Sequence, residues 1–535
     1  MAESLTAHRT DLPPAAAVGA LVALHLVLAF LVLTPAPHTG GDNAGYLTLA
    51  RSLLEHGRYL SIWLPGTPPQ TQYPPVFPAL LAAGLAVGLK PWLGLKLITI
   101  LFSAAAVAFT YLWLDGRTTR PIALGVTLLV AVVPGVLENS HWILSDVPFW
   151  AFTMVALWAF QDGADRGRFA VGVAATMLAY FTRSAGLPLV MAVLTWLLLR
   201  RRWRRAAVLV AVFVPLAGLW WLRAHLAGGF PYVQQFLAVD PYSPGLGRIG
   251  FADLFHRVVA NDGTYIVALL PMLLFGAGGV VPAGVAVLLL LLALLGWGRR
   301  VRRPSVAELF LPLYTGLLLV WPQVWAGERF LLPLLPVVLS LAAETWVAVV
   351  GLVGRRTTVV AALVGLAVML VAAAPADYGL AREGRGCMAR YRDGHPWACL
   401  PAVLQDYMSV AQWARSALPP DAVVISRKPR VFFVVSGLRG EMFPLDRDPA
   451  TLLALARRIG ARYVVLDHLD TVSLFLLETV MRRPDAFCTL RYTRPDRSTL
   501  LGITGGSNEL PDAVASRGQN VVVKFRHCGP GYLAR

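Results

Sequence analysis

Long apolar runs broken by clusters of arginine constrain this chain more than any other feature of its sequence. A helix needs about 20 apolar residues to cross the hydrocarbon core of a bilayer. Runs of this kind recur at 14–33, 92–114, 121–137, 147–160, 169–181, 187–199, 206–222, 279–297, 306–324, 330–350 and 357–374, which reads as about eleven transmembrane helices. Only 14% of the 535 residues are charged, against roughly 25% in soluble globular domains, so a soluble enzyme is excluded. The net charge of +17 would raise nucleic acid as a partner in a soluble chain. Here the arginines sit directly after apolar runs and read as topology signals, leaving the lipid bilayer, not nucleic acid, as the expected partner.

Alternating eleven spans from a cytoplasmic N-terminus places the basic loops inside. These carry Arg117 and Arg120, Arg166 and Arg168, the clusters at 200–205 and 299–303, and Arg355 with Arg356. The short outer loops hold few cations: none between Glu138 and Asp146, Arg183 in one, Arg329 in another. The parity requires 75–89 and 264–275, both apolar and flanked by Pro or Gly, to lie at the outer interface or re-enter instead of crossing. The first run, flanked by Glu3, Arg9 and Asp11, reads as an uncleaved anchor; a cleaved signal peptide is the alternative.

Three large pieces then lie outside: the loops at 34–91 and 223–278, and everything after 374. The chain divides into a membrane part, 1–374, and an extracytoplasmic α/β domain, 375–535. In the latter, helical spacing at 403–417 and 450–459 alternates with β-branched runs at 422–426 and 463–467. All four cysteines, Cys387, Cys399, Cys488 and Cys528, fall in this outer part, where disulfides are permitted. Of the three connectivities, Cys387 with Cys399 and Cys488 with Cys528 is the simplest, free thiols being the alternative. Asp467, His468 and Asp470 follow a strand and read as its ordinary ending more readily than as metal ligands.

Acidic residues at a membrane surface need a reason to be there. Asp42, in Thr39-Gly-Gly-Asp-Asn-Ala-Gly-Tyr46, follows the first span and is placed either to cap a helix beginning at Asn43 or to act as a general base on an acceptor hydroxyl. Asp146 ends the stretch Glu138-Asn-Ser-His141-Trp-Ile-Leu-Ser-Asp146, where it either complements the dipole of the next helix or serves the site. Arg183 and Arg329 stand at outer ends of spans, where a guanidinium either snorkels or grips two phosphate oxygens. No Walker-type loop, G-x-S-x-G elbow or H-E-x-x-H motif is present, and Gly276-Ala-Gly-Gly279 reads as a bend.

The segment Gly41-Asp-Asn-Ala-Gly-Tyr46, the following helix, and Gln72-Tyr73-Pro-Pro-Val-Phe-Pro78 resemble the first outer loop of the GT-C glycosyltransferases. The likeness is to the bacterial branch similar to protein O-mannosyltransferases and lipid A aminoarabinose transferases. The resemblance implies a polytopic α-helical protein of the bacterial inner membrane that transfers a sugar from a polyprenyl-phosphate donor. The acceptor would be a hydroxyl or amine of a lipid, polysaccharide or protein at the outer face, and transfer would be inverting. It makes Asp42 the base, Asp146 a second acidic site residue, and Arg329 and Arg183 the phosphate clamp, with Glu328 orienting Arg329. Tyr46, Tyr73, Glu138 and His141 would shape the substrate site. Many members carry a second acid beside the first; Asn43 stands there in this chain, so a metal pair of adjacent carboxylates is not expected, and a divalent ion is the only cofactor left open. The competing class is a lipid or glycolipid flippase, which would place charges near the midplane in two related halves.

Overall fold

The computed structural model describes residues 14–161, 163, 165–229, 231–492, 498–504, 514–517, 520–523 and 525–534. Arg9, Glu3 and Asp11 lie outside the described residues. The chain forms two compact units: one of Met1–Thr34, Lys96–Gly218 and Phe251–Gly386, the other of Pro35–Leu95, Leu219–Gly250 and Cys387–Arg535.

The first unit is helical, and a helix occupies each of the eleven apolar runs. Among the described residues, six helices are long and apolar enough to cross a membrane, or seven if the bent pair Arg120–Val132 and Pro134–Ser140 counts as one span. The difference from eleven is one of length. Asp146–Ala159, for example, has 14 residues and rises only about 21 Å, short of the roughly 30 Å core. Trp113, Trp150, Trp196, Phe149 and Phe310 are fully buried at the centre. By contrast, Trp203–Leu226, Val280–Arg300 and Arg356–Arg392 bury only 11%, 17% and 6% of their apolar windows, leaving aliphatic faces of the kind that meet lipid.

Polar side chains tie these helices together. His25 lies 2.8 Å from the Ala131 carbonyl and 2.9 Å from Ser103 Oγ. Arg117 pairs with Glu308, which closes a capping box with Ser305 at the start of Val306–Val320.

Residues 264–275 differ from the interfacial segment expected. They continue a helical stretch, Phe251–Phe275, whose length and hydropathy permit crossing. In its first half, Arg257 and Asn261 serve a neighbouring helix end. Asn261 Nδ2 donates to the carbonyls of Leu319 and Trp321 at 2.8 and 2.7 Å, and Arg257 Nη1 to Val320 at 3.4 Å. These are carbonyls that the last turn of Val306–Val320 cannot satisfy itself. The π-turn Tyr265–Leu269 lies within the same stretch, and Gly276, at φ +63°, ends it. By contrast 75–89 forms only the helix Val76–Ala86, 11 residues long and too short to cross.

In the second unit the strands β1 (Val424–Ile425), β2 (Tyr463–Leu466), β3 (Phe487–Tyr492) and β4 (Thr499–Ile503) form a sheet of order β1-β2-β4-β3. Only the β1–β2 pair is parallel. Successive side chains of a strand face opposite ways. Tyr463 and Val465 accordingly join Tyr407, Val424 and Phe432 on one face, while Val464 and Leu466 join Ile425, Leu455 and Leu476 on the other. Both faces are covered, which is why β2 reads as an unbroken apolar run. Beyond β2, Asp467 Oδ1 accepts from Ser473 Oγ at 2.6 Å and from the Leu469 amide at 3.2 Å, and Asp470 pairs with Arg427 at 2.9 Å. The acids at this strand end hold the turn together. Strands β5 (Val514–Arg517) and β6 (Asn520–Val523) pair separately.

Pro375, where the sequence turns polar, lies inside the continuous helix Arg355–Arg392. The stretches Pro35–Leu95 and Leu219–Gly250, drawn from the two large loops, belong to the same unit as the sheet. The bonded cysteines are Cys387–Cys399 and Cys488–Cys528, with sequence separations of 12 and 40. Closing loops of these sizes removes chain entropy worth about 3 and about 4 kcal/mol respectively. Replacing Cys488 and Cys528 by Ser is therefore expected to lower the Tm in detergent more than replacing Cys387 and Cys399. An equal or reversed order would count against the entropic account.

Candidate active site

Asp42 is the first residue of the helix Asp42–His56, which has Gly41 as its N-cap and no side-chain cap hydrogen bond. The helix thus starts one residue earlier than expected, with Asp42 in its first turn and not at the cap position. Tyr73 donates its hydroxyl hydrogen to Asp42 Oδ1 at 2.7 Å, and Arg430 Nη1 donates to the Tyr73 oxygen at 2.5 Å. Nη1 also stands 3.9 Å from Asp42 Oδ1. The Asp42 side chain nevertheless stays 40% exposed, so a substrate can reach it. Asn43 is turned away, its Nδ2 donating to the His38 carbonyl at 3.1 Å and its Oδ1 accepting from the Ala44 amide at 2.9 Å.

Arg430 belongs to the helix Pro429–Ser436, which follows β1. Its guanidinium lies 5.0 Å from the ring centres of both Trp63 and Tyr73, and it reaches Tyr73 closely because Gly45 is there. A Cβ at position 45 would stand 3.3 Å from Arg430 Cδ and Nη1. Lys428 Nζ, from the same turn, donates to the Thr39 carbonyl at 2.9 Å, three residues before Asp42. Burial, reinforced by the neighbouring Arg427, lowers the Lys428 ammonium below its ordinary range. Tyr46 packs against Tyr73 and Phe77, each 5.0 Å away, and all three rings are buried. Tyr46 and Tyr73 thus shape the site from beneath it and are not open platforms for a sugar.

In the first unit Asp146 is buried at the start of Asp146–Ala159 and gathers both arginines. Arg183 Nη1 donates to its Oδ1 at 2.5 Å, and Arg329 Nε lies 3.9 Å from its Oδ2. Both guanidiniums stand beside the Phe330 ring, at 4.4 and 5.2 Å. Arg183 leaves the helix Arg166–Thr182 with extended backbone, and Arg329 sits in the short 3-10 turn Glu328–Leu331. Their side chains remain 20% and 19% exposed. Glu328, half-buried, shares that turn. Glu138 is exposed on the short helix Pro134–Ser140. His141 is buried with its ring 4.6 Å from Trp142, which points to packing.

Sequence reasoning passed over Arg430, although Ser426-Arg-Lys-Pro-Arg430 is a dense basic stretch directly after a strand. It also passed over Lys96, which is buried, donates to the Thr34 carbonyl at 2.6 Å and lies 4.4 Å from the Trp142 ring centre.

Sequence comparison with family models and with curated proteins gives no match. Comparison with solved structures does. The crystal structure of ArnT from Cupriavidus metallidurans in the apo state aligns over 91% of this chain and 98% of its own, with a TM-score of 0.54 at 15% identity. The same protein bound to undecaprenyl phosphate gives 0.52 at 14% identity over 91% and 97%. The Archaeoglobus fulgidus oligosaccharyltransferase complex with Zn and sulfate gives 0.53 at 14% identity over 84% and 68%. The chain has the GT-C glycosyltransferase fold. At such identities the likeness is one of fold, so the roles of individual residues rest on their geometry in this chain. Among the described residues no three His, Cys, Asp or Glu side chains come together as a metal-holding group. Asp42 faces Tyr73 and Arg430, and Asp146 faces two arginines, surroundings that do not suit a divalent cation.

Proposed function

We propose that this protein transfers a sugar from a polyprenyl-phosphate donor to an acceptor hydroxyl or amine at the outer face of a bacterial inner membrane, with inversion. The observation that supports the reading is the setting of Asp42: a carboxylate at a helix start that accepts from the Tyr73 hydroxyl, lies 3.9 Å from Arg430 and is 40% exposed. Such a group can take the proton of an acceptor as its oxygen attacks the anomeric carbon. Holding acceptor and base in line is the larger part of what a site of this kind contributes.

Within the other unit, Arg183 and Arg329 carry two positive charges against the single one of Asp146, leaving a net charge of +1 (two minus one) for a leaving phosphate. Guanidiniums suit this role because they stay charged when partly desolvated and present parallel donors. An apolar cavity of about 370 Å³ lies beside the same turn, lined by Tyr265, Leu290, Trp297, Leu311, Leu331 and Leu334. Its volume and lining suit part of a prenyl chain.

The test is transfer of label from a panel of polyprenyl-phosphate sugars into native membrane fractions by the purified protein. Transfer from one donor is the expected result. If no donor is used while labelled lipid still crosses the bilayer of protein-containing vesicles, the flippase alternative replaces this reading.

A further inference from the structure

Arg430 can only donate hydrogen bonds, and an ionised carboxylate can only accept them. The Tyr73 oxygen accepts from Arg430, so its single hydrogen is left for Asp42. The chain of contacts therefore has one direction: guanidinium to phenol to carboxylate. Burial, with Asp42 adding to it and Arg430 opposing, holds the Tyr73 hydroxyl well above the ordinary phenol range.

We infer that Arg430 acts on Asp42 through Tyr73, fixing one carboxylate oxygen so that the base is ionised and oriented before an acceptor arrives. The inference rests on the reading of Asp42 as the base, and it makes Tyr73 and Arg430 positioning residues. The charged and titratable groups around Asp42 come from several elements: Tyr73 in the loop before Val76–Ala86, Arg430 and Lys428 after β1, Tyr46 one turn along its own helix, His38 in the preceding loop, and Tyr232 beside Tyr73 at 6.4 Å. Tyr73 and Arg430 form the directed pair. Both ends of this arrangement come from the unit that holds the sheet, which gives that part of the chain a task in preparing the base.

A phenol hydrogen bond to a carboxylate favours the ionised form. Removing it in Tyr73→Phe is expected to move the acid limb of the kcat against pH profile upward by about one unit. kcat near that limb then falls about tenfold and KM changes little. Arg430→Gln shifts the limb in the same direction. Because Arg430 works mainly through Tyr73 and adds only its direct attraction at 3.9 Å, the double variant shifts the limb slightly beyond Tyr73→Phe alone and by less than the sum of the singles.

A second measurement needs no donor: carbodiimide labelling of Asp42, which requires the protonated carboxyl, followed by peptide mass spectrometry across pH. Its midpoint is expected to move up in both variants. Unmoved labelling curves overturn the inference, and a double variant whose shift is the sum of the singles overturns the route through Tyr73. If the labelling midpoints move as expected but the wild type transfers no sugar, the tie stands and the glycosyltransferase reading falls. Should Arg430→Gln fail to fold, Arg430→Lys replaces it, with a smaller shift expected because the fork is lost while the charge remains.

Discussion

Asp42→Asn is expected to lower kcat by about 10²- to 10⁴-fold, the usual contribution of a positioned general base. KM should change little and the Tm hardly at all. The substitution keeps the size of the side chain and an oxygen to accept from Tyr73. What it forfeits in stability is the favourable placement of a negative charge at a helix N-terminus, worth less than about 1 kcal/mol at an exposed site. The two outcomes separate cleanly in a transfer assay run beside thermal unfolding at matched protein amount. Intact turnover with a lowered Tm would return Asp42 to a structural role and take the mechanism with it.

The reason Asp42 stood out in the sequence is that its setting is local. Glycines before it, an amphipathic helix after it and the Tyr73-Pro-Pro segment a short loop away all lie within one stretch between two apolar runs. The same holds for the disulfide between Cys387 and Cys399, whose partners are close in sequence. Arg430 was not legible in this way. It lies 357 positions from the tyrosine it holds, and nothing in a basic turn after a strand says which distant loop it meets. Asp146, Arg183 and Arg329 could each be named as outer-face charges, but not their grouping around a single carboxylate, because that requires three helix ends to be brought together by packing. The helix Phe251–Phe275 was not legible as one element: its second half, 264–275, read as an interfacial or re-entrant piece, while Arg257 and Asn261 in its first half are spent on the open carbonyls of a neighbour. Hydropathy counts polar atoms without asking which of them are already satisfied.

That grouping of charges sets the second large effect. Asp146 is nearly inaccessible, and it is the carboxylate shared by two guanidiniums. Replacing it by Ala takes away the buried carboxylate that both Arg183 and Arg329 approach, and breaking a buried ion pair typically costs about 3–5 kcal/mol. The expected result is a protein with a much reduced Tm in detergent. The same change raises the local charge from +1 to +2, counting the two arginines against the lost carboxylate. An anion then has more to gain by binding. Added undecaprenyl phosphate should therefore raise the Tm of Asp146→Ala by more than it raises that of the wild type, since a ligand that binds only the folded state stabilises it in proportion to its affinity. Turnover should fall even where binding tightens, because a clamp that holds the phosphate equally before and after transfer does nothing for the chemical step and slows release. Arg329→Gln should do the reverse, weakening the lipid-phosphate response while sparing most of the stability. If undecaprenyl phosphate stabilises Asp146→Ala no more than the wild type, the two arginines are a structural pair, and the phosphate contacts of the donor must be sought among other cations, with buried Lys96 the first to test.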